Sequence, residues 1–132
     1  MTNSFKIKPE AQIQAECVTW FKNEFRGLRR RLYMVHNDGN KNAITASQDL
    51  ARGLTKGVLD LNLDIPNGQY SGLRIEMKKP GGSLSPEQKE MIAENEYFGY
   101  KSVVVDNLES FQQAILDYLP AHLLPIRYQK AS

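Results

Sequence analysis

The chain lacks the features that mark exported, disulfide-rich or membrane-spanning proteins. Its 132 residues include a single cysteine, Cys17, so no disulfide can form within the chain, and a reducing interior is the natural setting. No apolar run approaches the roughly 18 residues of a membrane-spanning helix. The first residues, MTNSFKIKPE, contain no apolar signal segment. We therefore expect a cytoplasmic protein in which Cys17, placed among apolar residues at helical spacing, is a small core residue.

The chain also lacks repeats, low-complexity segments and a large excess of charge. Its formal net charge is +2, from 17 basic and 15 acidic residues, which neither requires nor excludes nucleic acid as a partner. The basic residues are clustered, most densely at Arg26, Arg29, Arg30 and Arg31. This cluster fits either a DNA-binding surface or an ordinary solvated face. No aromatic-rich platform of the kind used by single-strand binders is present, which favours duplex or branched DNA over single strands.

The first half of the chain predicts a helix, a short strand and a second helix. Apolar residues recur at three- and four-residue spacing from Pro9 to about Phe25, and Gly27 ends the pattern. Leu32–His36 is typical of a short strand, and the turn-rich segment His36–Asn42 follows it. Ala43–Ala51 then predicts a short helix.

The second half predicts a β-hairpin and a strand–helix–strand crossover. Two alternating strands, around residues 59–65 and 73–78, flank a turn-rich segment and should pair antiparallel. Ser85 and Gln88 fit a capping box at the start of a helix that Gly99 ends, and the strand Tyr100–Val105 should pair in parallel. A last helix is capped by Asp106 or Asn107. The order α-β-(α)-β-β-α-β-α predicts an α/β fold with a mixed sheet flanked by helices, in one domain over 1–132 with a core of about 8–119 and a tail from 120.

Polar residues on the hairpin are arranged as a metal-binding site would require. Glu76 and Lys78 leave the same face of one strand, about 7 Å apart at the backbone. A register that buries all the apolar residues pairs Asp60 with Glu76 and Asn62 with Arg74, whereas Asp64 lies roughly 13 Å along the strand from Asp60. Two carboxylates at one end of a sheet can hold Mg²⁺ or Mn²⁺, and a nearby lysine can stabilise a phosphoryl transition state.

The competing interpretation is an exposed strand face. In it, Asp60, Glu76, Lys78 and Arg74 form cross-strand salt bridges and nothing else. An E-x-K triplet alone does not separate the two interpretations, so the residues leave both open.

The run GLTKGVLDLNLDIPNGQYSGLRIEMK, from Gly53 to Lys78, continues through GGSLSPEQ to Gln88. It resembles the VRR-NUC domain of the PD-(D/E)XK nuclease superfamily, with its glycine-rich approach, its "GVPDL"-like strand, its E-x-K strand and its "LS..Q" helix start. Leu59 stands where proline is usual. The segment Glu10-x-x-Ile13-Gln14 is similar to the family's "E..IQ" opening. The resemblance implies a restriction-endonuclease-like αβββαβ core.

The resemblance also implies roles for individual residues. Asp60, Glu76 and the main-chain carbonyl of Met77 would bind Mg²⁺ or Mn²⁺, with Glu10 adding a carboxylate, although Glu10 also suits the helix dipole. Lys78 would be the catalytic lysine. Gln88 would contact the site or the DNA backbone, although a capping box explains it nearly as well. The residues expected to contact DNA are Arg26, Arg29, Arg30, Arg31, Lys41, Lys56 and Lys79, with His36 and Asn37 reaching the substrate, unless His36 is a structural histidine.

The implied function is a metal-dependent DNA endonuclease of repair or recombination. Similar stand-alone domains in bacteria and phages resemble Holliday-junction resolvases, which act as homodimers on branched DNA. The alternatives are a non-catalytic DNA-binding module that keeps the nuclease fold, and a subunit of a larger assembly. The residues themselves indicate neither an interface nor a preference for junctions.

Overall fold

The protein folds around one mixed β-sheet. A computed structural model describes residues 7–35 and 42–129. Within these residues the sheet has four strands, in the order β1-β2-β3-β4. The strands are β1 (Leu32–Met34), β2 (Leu61–Leu63), β3 (Gly72–Met77) and β4 (Tyr100–Val105). The pair β2–β3 is antiparallel and β3–β4 is parallel, as predicted from the hairpin turn and the helical crossover. The strand β1, for which the sequence predicted no partner, pairs antiparallel with β2.

Within the described residues, four α-helices accompany the sheet in the predicted order. They are α1 (Glu10–Glu24), α2 (Ala43–Ala51), α3 (Pro86–Tyr97) and α4 (Leu108–Tyr118), with 3₁₀ helices at Arg26–Arg31, Ala121–Leu123 and Ile126–Tyr128. Asn107 caps α4 by accepting a hydrogen bond from Ser110 N. In the part of the chain that the structure describes, no helix is long and apolar enough to cross a bilayer.

The predicted register of the hairpin is confirmed. Asn62 lies opposite Arg74, and Leu61 lies opposite Ile75. The ladder of β2 is shorter than the alternating pattern, yet Leu59 and Ile65 beyond its ends are buried as well. A shift of one residue would have turned every leucine of β2 to the other face, which is why the apolar pattern could fix the register.

The hydrophobic core lies between one face of the sheet and helices α1 and α4. Its fully buried members from the helices include Cys17, Phe21, Phe111 and Ile115, and those from the sheet include Leu61, Leu63, Leu73 and Ile75. Burial raises the pKa of the Cys17 thiol to about 11, which keeps it protonated and confirms its interpretation as a core residue.

The bounds of α1 lie within one residue of the prediction, which placed the helix from Pro9 to about Phe25. Pro9 is the N-cap: its backbone is extended and not helical, so it lies just outside the helix. Gly27 does not end α1. The helix ends at Glu24, with Phe25 as C-cap, and Gly27 lies within the 3₁₀ helix that follows. Phe25 is buried and stacks on Phe21, four residues earlier on the same face of the helix.

The C-terminal segment is bound to α1. Tyr128 and Arg127 both donate to the carboxylate of Glu24, and the Tyr128 ring stacks on Phe25. Leu123 and Leu124 pack against the core. The residues after α4, which the sequence marked as a tail, therefore hold the junction between α1 and the arginine-rich 3₁₀ helix.

A buried tyrosine links α4 to the end of β2. The Tyr118 hydroxyl donates to Ile65 O at 2.6 Å, and Tyr118 is only 6% exposed. We predict that Tyr118→Phe lowers the free energy of unfolding by about 1–3 kcal/mol, because it leaves the buried Ile65 carbonyl without that donor. Urea denaturation followed by circular dichroism measures this. Tyr97, which is 83% exposed, provides the matched control, since Tyr97→Phe should change little. Equal effects of the two substitutions would contradict the prediction.

Candidate active site

The polar residues Asp60, Glu76 and Lys78 meet at one end of the sheet. Because β2 and β3 are antiparallel, the residue before β2 and the residues at the end of β3 share one edge. Asp60 therefore lies beside Glu76 and Met77, and Lys78 follows immediately. The ends of β1 and β4 reach the same edge, where Val35 N donates to Asp60 O and Lys78 N donates to Val105 O.

Asp60 is fixed by both its main chain and its side chain. Its carboxylate oxygen Oδ2 accepts a hydrogen bond of 2.7 Å from Met77 N. The side chain thus takes the place of a backbone acceptor just beyond the last pair of the β2–β3 ladder, Leu61–Ile75. This contact holds the carboxylate against the main chain of β3.

Glu76 is the one charged side chain in the buried part of the described chain, at 2% exposed. Its Oε2 accepts from Gln88 Nε2 at 2.8 Å and lies 3.5 Å from Lys78 Nζ. Its Oε1 is buried and has no hydrogen-bond partner among the residues that the structure describes. Buried polar atoms in proteins are nearly always satisfied, so an unpartnered carboxylate oxygen calls for an explanation.

These positions exclude the exposed-face interpretation. Glu76 is buried, and Arg74 pairs with Asp64 at 3.1 Å, at the other end of the polar face from the site. Tyr33 OH also donates to Asp64, and Arg74 lies 4.4 Å from the Tyr100 ring centroid. Arg74 and Asp64 therefore form a separate network that does not include Glu76.

The two carboxylates are held in an environment that disfavours their ionised forms. Burial raises the pKa of Glu76 to about 7, and the neighbouring charge of Asp60 acts in the same direction against the charge of Lys78. Burial also raises the pKa of Asp60, and the charge of Glu10 adds to this, while the hydrogen bond from Met77 opposes it. The site thus holds two neighbouring carboxyl groups in a low-dielectric setting, with Lys78 as their nearby cation.

The first turn of α3 supports Glu76. The capping box predicted from the sequence is present: Ser85 Oγ accepts from Gln88 N, and Gln88 Oε1 accepts from Ser85 N. The same Gln88 amide donates to Glu76, so the capping role and the role in the site belong to one side chain. Gly57 lies against the same turn, with a positive φ of +88°, and a Cβ there would overlap the carbonyl oxygen of Glu87.

Glu10 lies exposed in the first turn of α1. Its charge reaches Asp60, since it raises the pKa of that carboxyl. Within residues 7–35 and 42–129, however, no three acidic, histidine or cysteine side chains converge in a metal-binding cluster. The structure therefore brings Asp60, Glu76, Lys78 and Gln88 together and leaves Glu10 at the margin of the site.

The basic residues expected to contact DNA lie in two different places. Lys79 follows Lys78 at the site, Lys56 precedes Gly57 beside α3, and both are exposed. Arg26, Arg29, Arg30 and Arg31 are exposed at the opposite end of the sheet, where Asp64 N donates to Arg31 O. His36, Asn37 and Lys41 lie outside the described residues.

Sequence reasoning missed two features that shape the site. One is the close approach of Gly57 to α3, signalled only by a glycine whose need for positive φ is not visible in the sequence. The other is the link between the capping box and Glu76. From the sequence, the cap and a contact of Gln88 with the site or the DNA backbone were alternatives, whereas the structure shows one side chain that caps α3 and also binds Glu76.

The chain is similar in sequence and in fold to a known protein family. No curated protein matches the sequence. A solved structure described as a VRR_NUC domain protein is similar, with 31% sequence identity and a TM-score of 0.74, over 86% of this chain and 89% of that chain. The model of the VRR-NUC domain family matches residues 8–109, which include Glu10, Asp60, Glu76, Lys78 and Gln88. The chain therefore belongs to the VRR-NUC domain family, and its α/β fold is of the nuclease type.

Proposed function

We propose that the protein is a metal-dependent endodeoxyribonuclease that hydrolyses phosphodiester bonds at the site of Asp60, Glu76 and Lys78. The observation that carries this proposal is Glu76 Oε1, a buried carboxylate oxygen without a hydrogen-bond partner in the described part of the chain. A bound cation would satisfy this oxygen. It would also offset the burial that raises the pKa values of Glu76 and Asp60, and the charge of Asp60 that raises the pKa of Glu76 further.

The donor set suits a hard divalent cation. Mg²⁺ and Mn²⁺ prefer oxygen ligands, and Mg²⁺ is commonly held by only one or two carboxylates, with waters and substrate phosphates completing its shell. Asp60 and Glu76 supply the carboxylates here. We propose the main-chain carbonyl oxygen of Met77 as a third metal ligand. The N–H and C=O of a strand residue point to the same side, and Met77 N points at Asp60, so the carbonyl also faces the Asp60 side. Glu10 remains a further candidate at the margin.

The other residues of the site have definable tasks. A divalent cation at this position would acidify a water molecule and offset charge on the phosphate. Lys78, with a side chain only 15% exposed, places a positive charge next to that position and would stabilise the negative charge that develops on the phosphate. Gln88 holds Oε2 of Glu76, which leaves Oε1 directed away from the amide.

DNA is the proposed partner, and the placement of the basic residues supports a duplex or branched substrate. Lys56 and Lys79 lie near the site, and the arginine cluster lies at the far end of the sheet, so phosphate contacts would extend beyond the scissile bond. Action as a homodimer on branched DNA, in repair or recombination, is the finer proposal and comes from the family resemblance. The alternative of a non-catalytic DNA-binding module is decided by the cleavage assay.

For cleavage, we predict that Lys78→Ala lowers the rate by about 100- to 1,000-fold, because it removes the charge that stabilises the transition state. The assay uses supercoiled plasmid and a labelled four-way junction with Mg²⁺, Mn²⁺ or EDTA. Lys89→Ala is the matched control, since Lys89 is an exposed lysine on the neighbouring helix α3.

Two results of this assay would contradict the nuclease proposal. If the wild-type protein cleaves no substrate with any metal, the protein is instead the non-catalytic DNA-binding module. Equal cleavage by wild type and Lys78→Ala would show that the activity lies elsewhere or belongs to a contaminant. Symmetric nicking of the junction would support the finer proposal of a resolvase.

For stability, we predict that the metal-free protein becomes less stable as the pH rises from about 4.5 towards 7. The pKa of Glu76 is raised to about 7 in the folded state, so the folded chain binds a proton that the unfolded chain has already released in this window. The loss should be on the order of 2–3 kcal/mol, and Mg²⁺ should recover part of it at pH 8, where the carboxylate is ionised.

The measurement compares wild type with Glu76→Gln in urea denaturation at pH 5 and pH 8. The substitution removes the titrating group, so the difference in unfolding free energy between the two proteins should change with pH. A difference that is the same at both pH values would show that Glu76 does not titrate as expected.

For DNA binding, we predict a strong dependence on salt and little dependence on sequence, because phosphate contacts supply the affinity. Binding is measured with Lys78→Ala, which preserves the DNA from cleavage. Replacing Arg30 and Arg31 with glutamine should lower the slope of log K against log salt by about 2, one unit for each lost phosphate contact. An unchanged slope would remove the arginine cluster from the DNA interface.

A further inference from the structure

The orientation of the Gln88 amide is fixed at both ends. Its Oε1 accepts from Ser85 N at 2.9 Å, and its Nε2 donates to Glu76 Oε2 at 2.8 Å. A reversed amide would place an oxygen against the carboxylate and an NH₂ group against a backbone N–H. The backbone of the N-cap residue therefore decides which end of Gln88 faces Glu76.

The Ser85 hydroxyl completes this arrangement. Its Oγ accepts from Gln88 N at 3.1 Å, which closes the capping box. Such a cap matters more for α3 than for a helix anchored in the core, because none of the residues of α3 is buried. Without the hydroxyl, the first turn of α3 would lose a specific bond that sets the distance from Gln88 to β3.

The other side of the same turn contacts the chain that leads to Asp60. Gly57 packs so closely on Glu87 that no side chain fits there, and Asp60 follows three residues later. The first turn of α3 thus lies between the segment before Asp60 and the Glu76 side chain. A displacement of this turn would change the position of Glu76 relative to Asp60.

We propose that Ser85 is a positioning residue that acts through Gln88 on the carboxylate of Glu76. The cap keeps Oε2 of Glu76 bound to Gln88, so that Oε1 is directed to the place where, under the proposed function, the cation is held. The inference rests on that function for the identity of the ligand, but not for the positioning itself.

The test measures Mn²⁺ binding to DNA-free protein by isothermal titration calorimetry for wild type, Ser85→Ala, Ser85→Thr and Asn107→Ala. Loss of a group that hydrogen-bonds a metal ligand, as Gln88 does here, typically weakens metal binding about 10- to 100-fold, so Ser85→Ala, which acts through Gln88, should weaken Mn²⁺ binding by up to about tenfold. Ser85→Thr keeps the hydroxyl and should restore binding to near the wild-type value. Asn107→Ala removes the equivalent cap of α4 and should leave Mn²⁺ binding unchanged despite a comparable loss of thermal stability.

A second measurement needs no metal. In NMR spectra of the apo protein, the side-chain NH₂ signals of Gln88 should shift in Ser85→Ala and keep their positions in Ser85→Thr and Asn107→Ala. Wild-type Mn²⁺ affinity in Ser85→Ala, or unchanged Gln88 signals, would overturn the positioning role. If wild type itself binds no Mn²⁺, the proposed function fails, and the Gln88 signals alone decide the role of Ser85.

Discussion

The burial of the Glu76 carboxylate is the constraint on which the rest of the site depends. An ionisable group at 2% exposure is costly to keep in a fold unless its oxygens find partners. Gln88 and Lys78 serve one oxygen, and burial with the nearby Asp60 still raises the pKa of Glu76 to about 7. The protein thus retains a carboxylate that its own described side chains satisfy only halfway. Such an arrangement is typical of sites in which a ligand supplies the missing interaction, and stability is given up for function.

The two faces of the sheet differ in chemistry, and so do its two ends. One face carries the apolar core under α1 and α4, where leucine and isoleucine side chains are fully buried. The other face carries Asn62, Arg74 and Glu76 of the hairpin, and its two ends differ in chemistry. At the far end, Asp64 is neutralised by Arg74 and receives the Tyr33 hydroxyl, which makes a closed structural network. At the near end, Asp60 and Glu76 lie together with Lys78 as the nearby cation. The same residue types therefore make a structural network at one end and the candidate active site at the other.

Much of this arrangement could be predicted because it depends on local chemistry and on periodicity. The alternation in β2 and β3 fixed the hairpin register, and Ser85 with Gln88 correctly marked the start of α3. The end of α1 was predicted to within one residue, at about Phe25, although the glycine named as the stop signal lies further on, inside a 3₁₀ helix. A glycine shows where the backbone is free to turn, but not whether the chain leaves a helix there or tightens into a 3₁₀ turn.

The sequence by itself determined the order of the elements, the register that places Asp60 beside Glu76, and the family to which these motifs point. Each of these depends on spacing along the chain or on the chemistry of neighbouring residues. Only the tertiary structure decided that Glu76 is buried with one oxygen unpartnered, that Gln88 joins the cap of α3 to this carboxylate, and that the arginine cluster lies at the opposite end of the sheet. Burial, desolvation and the contact of a helix end with a strand arise when distant segments pack together, and no local pattern encodes them.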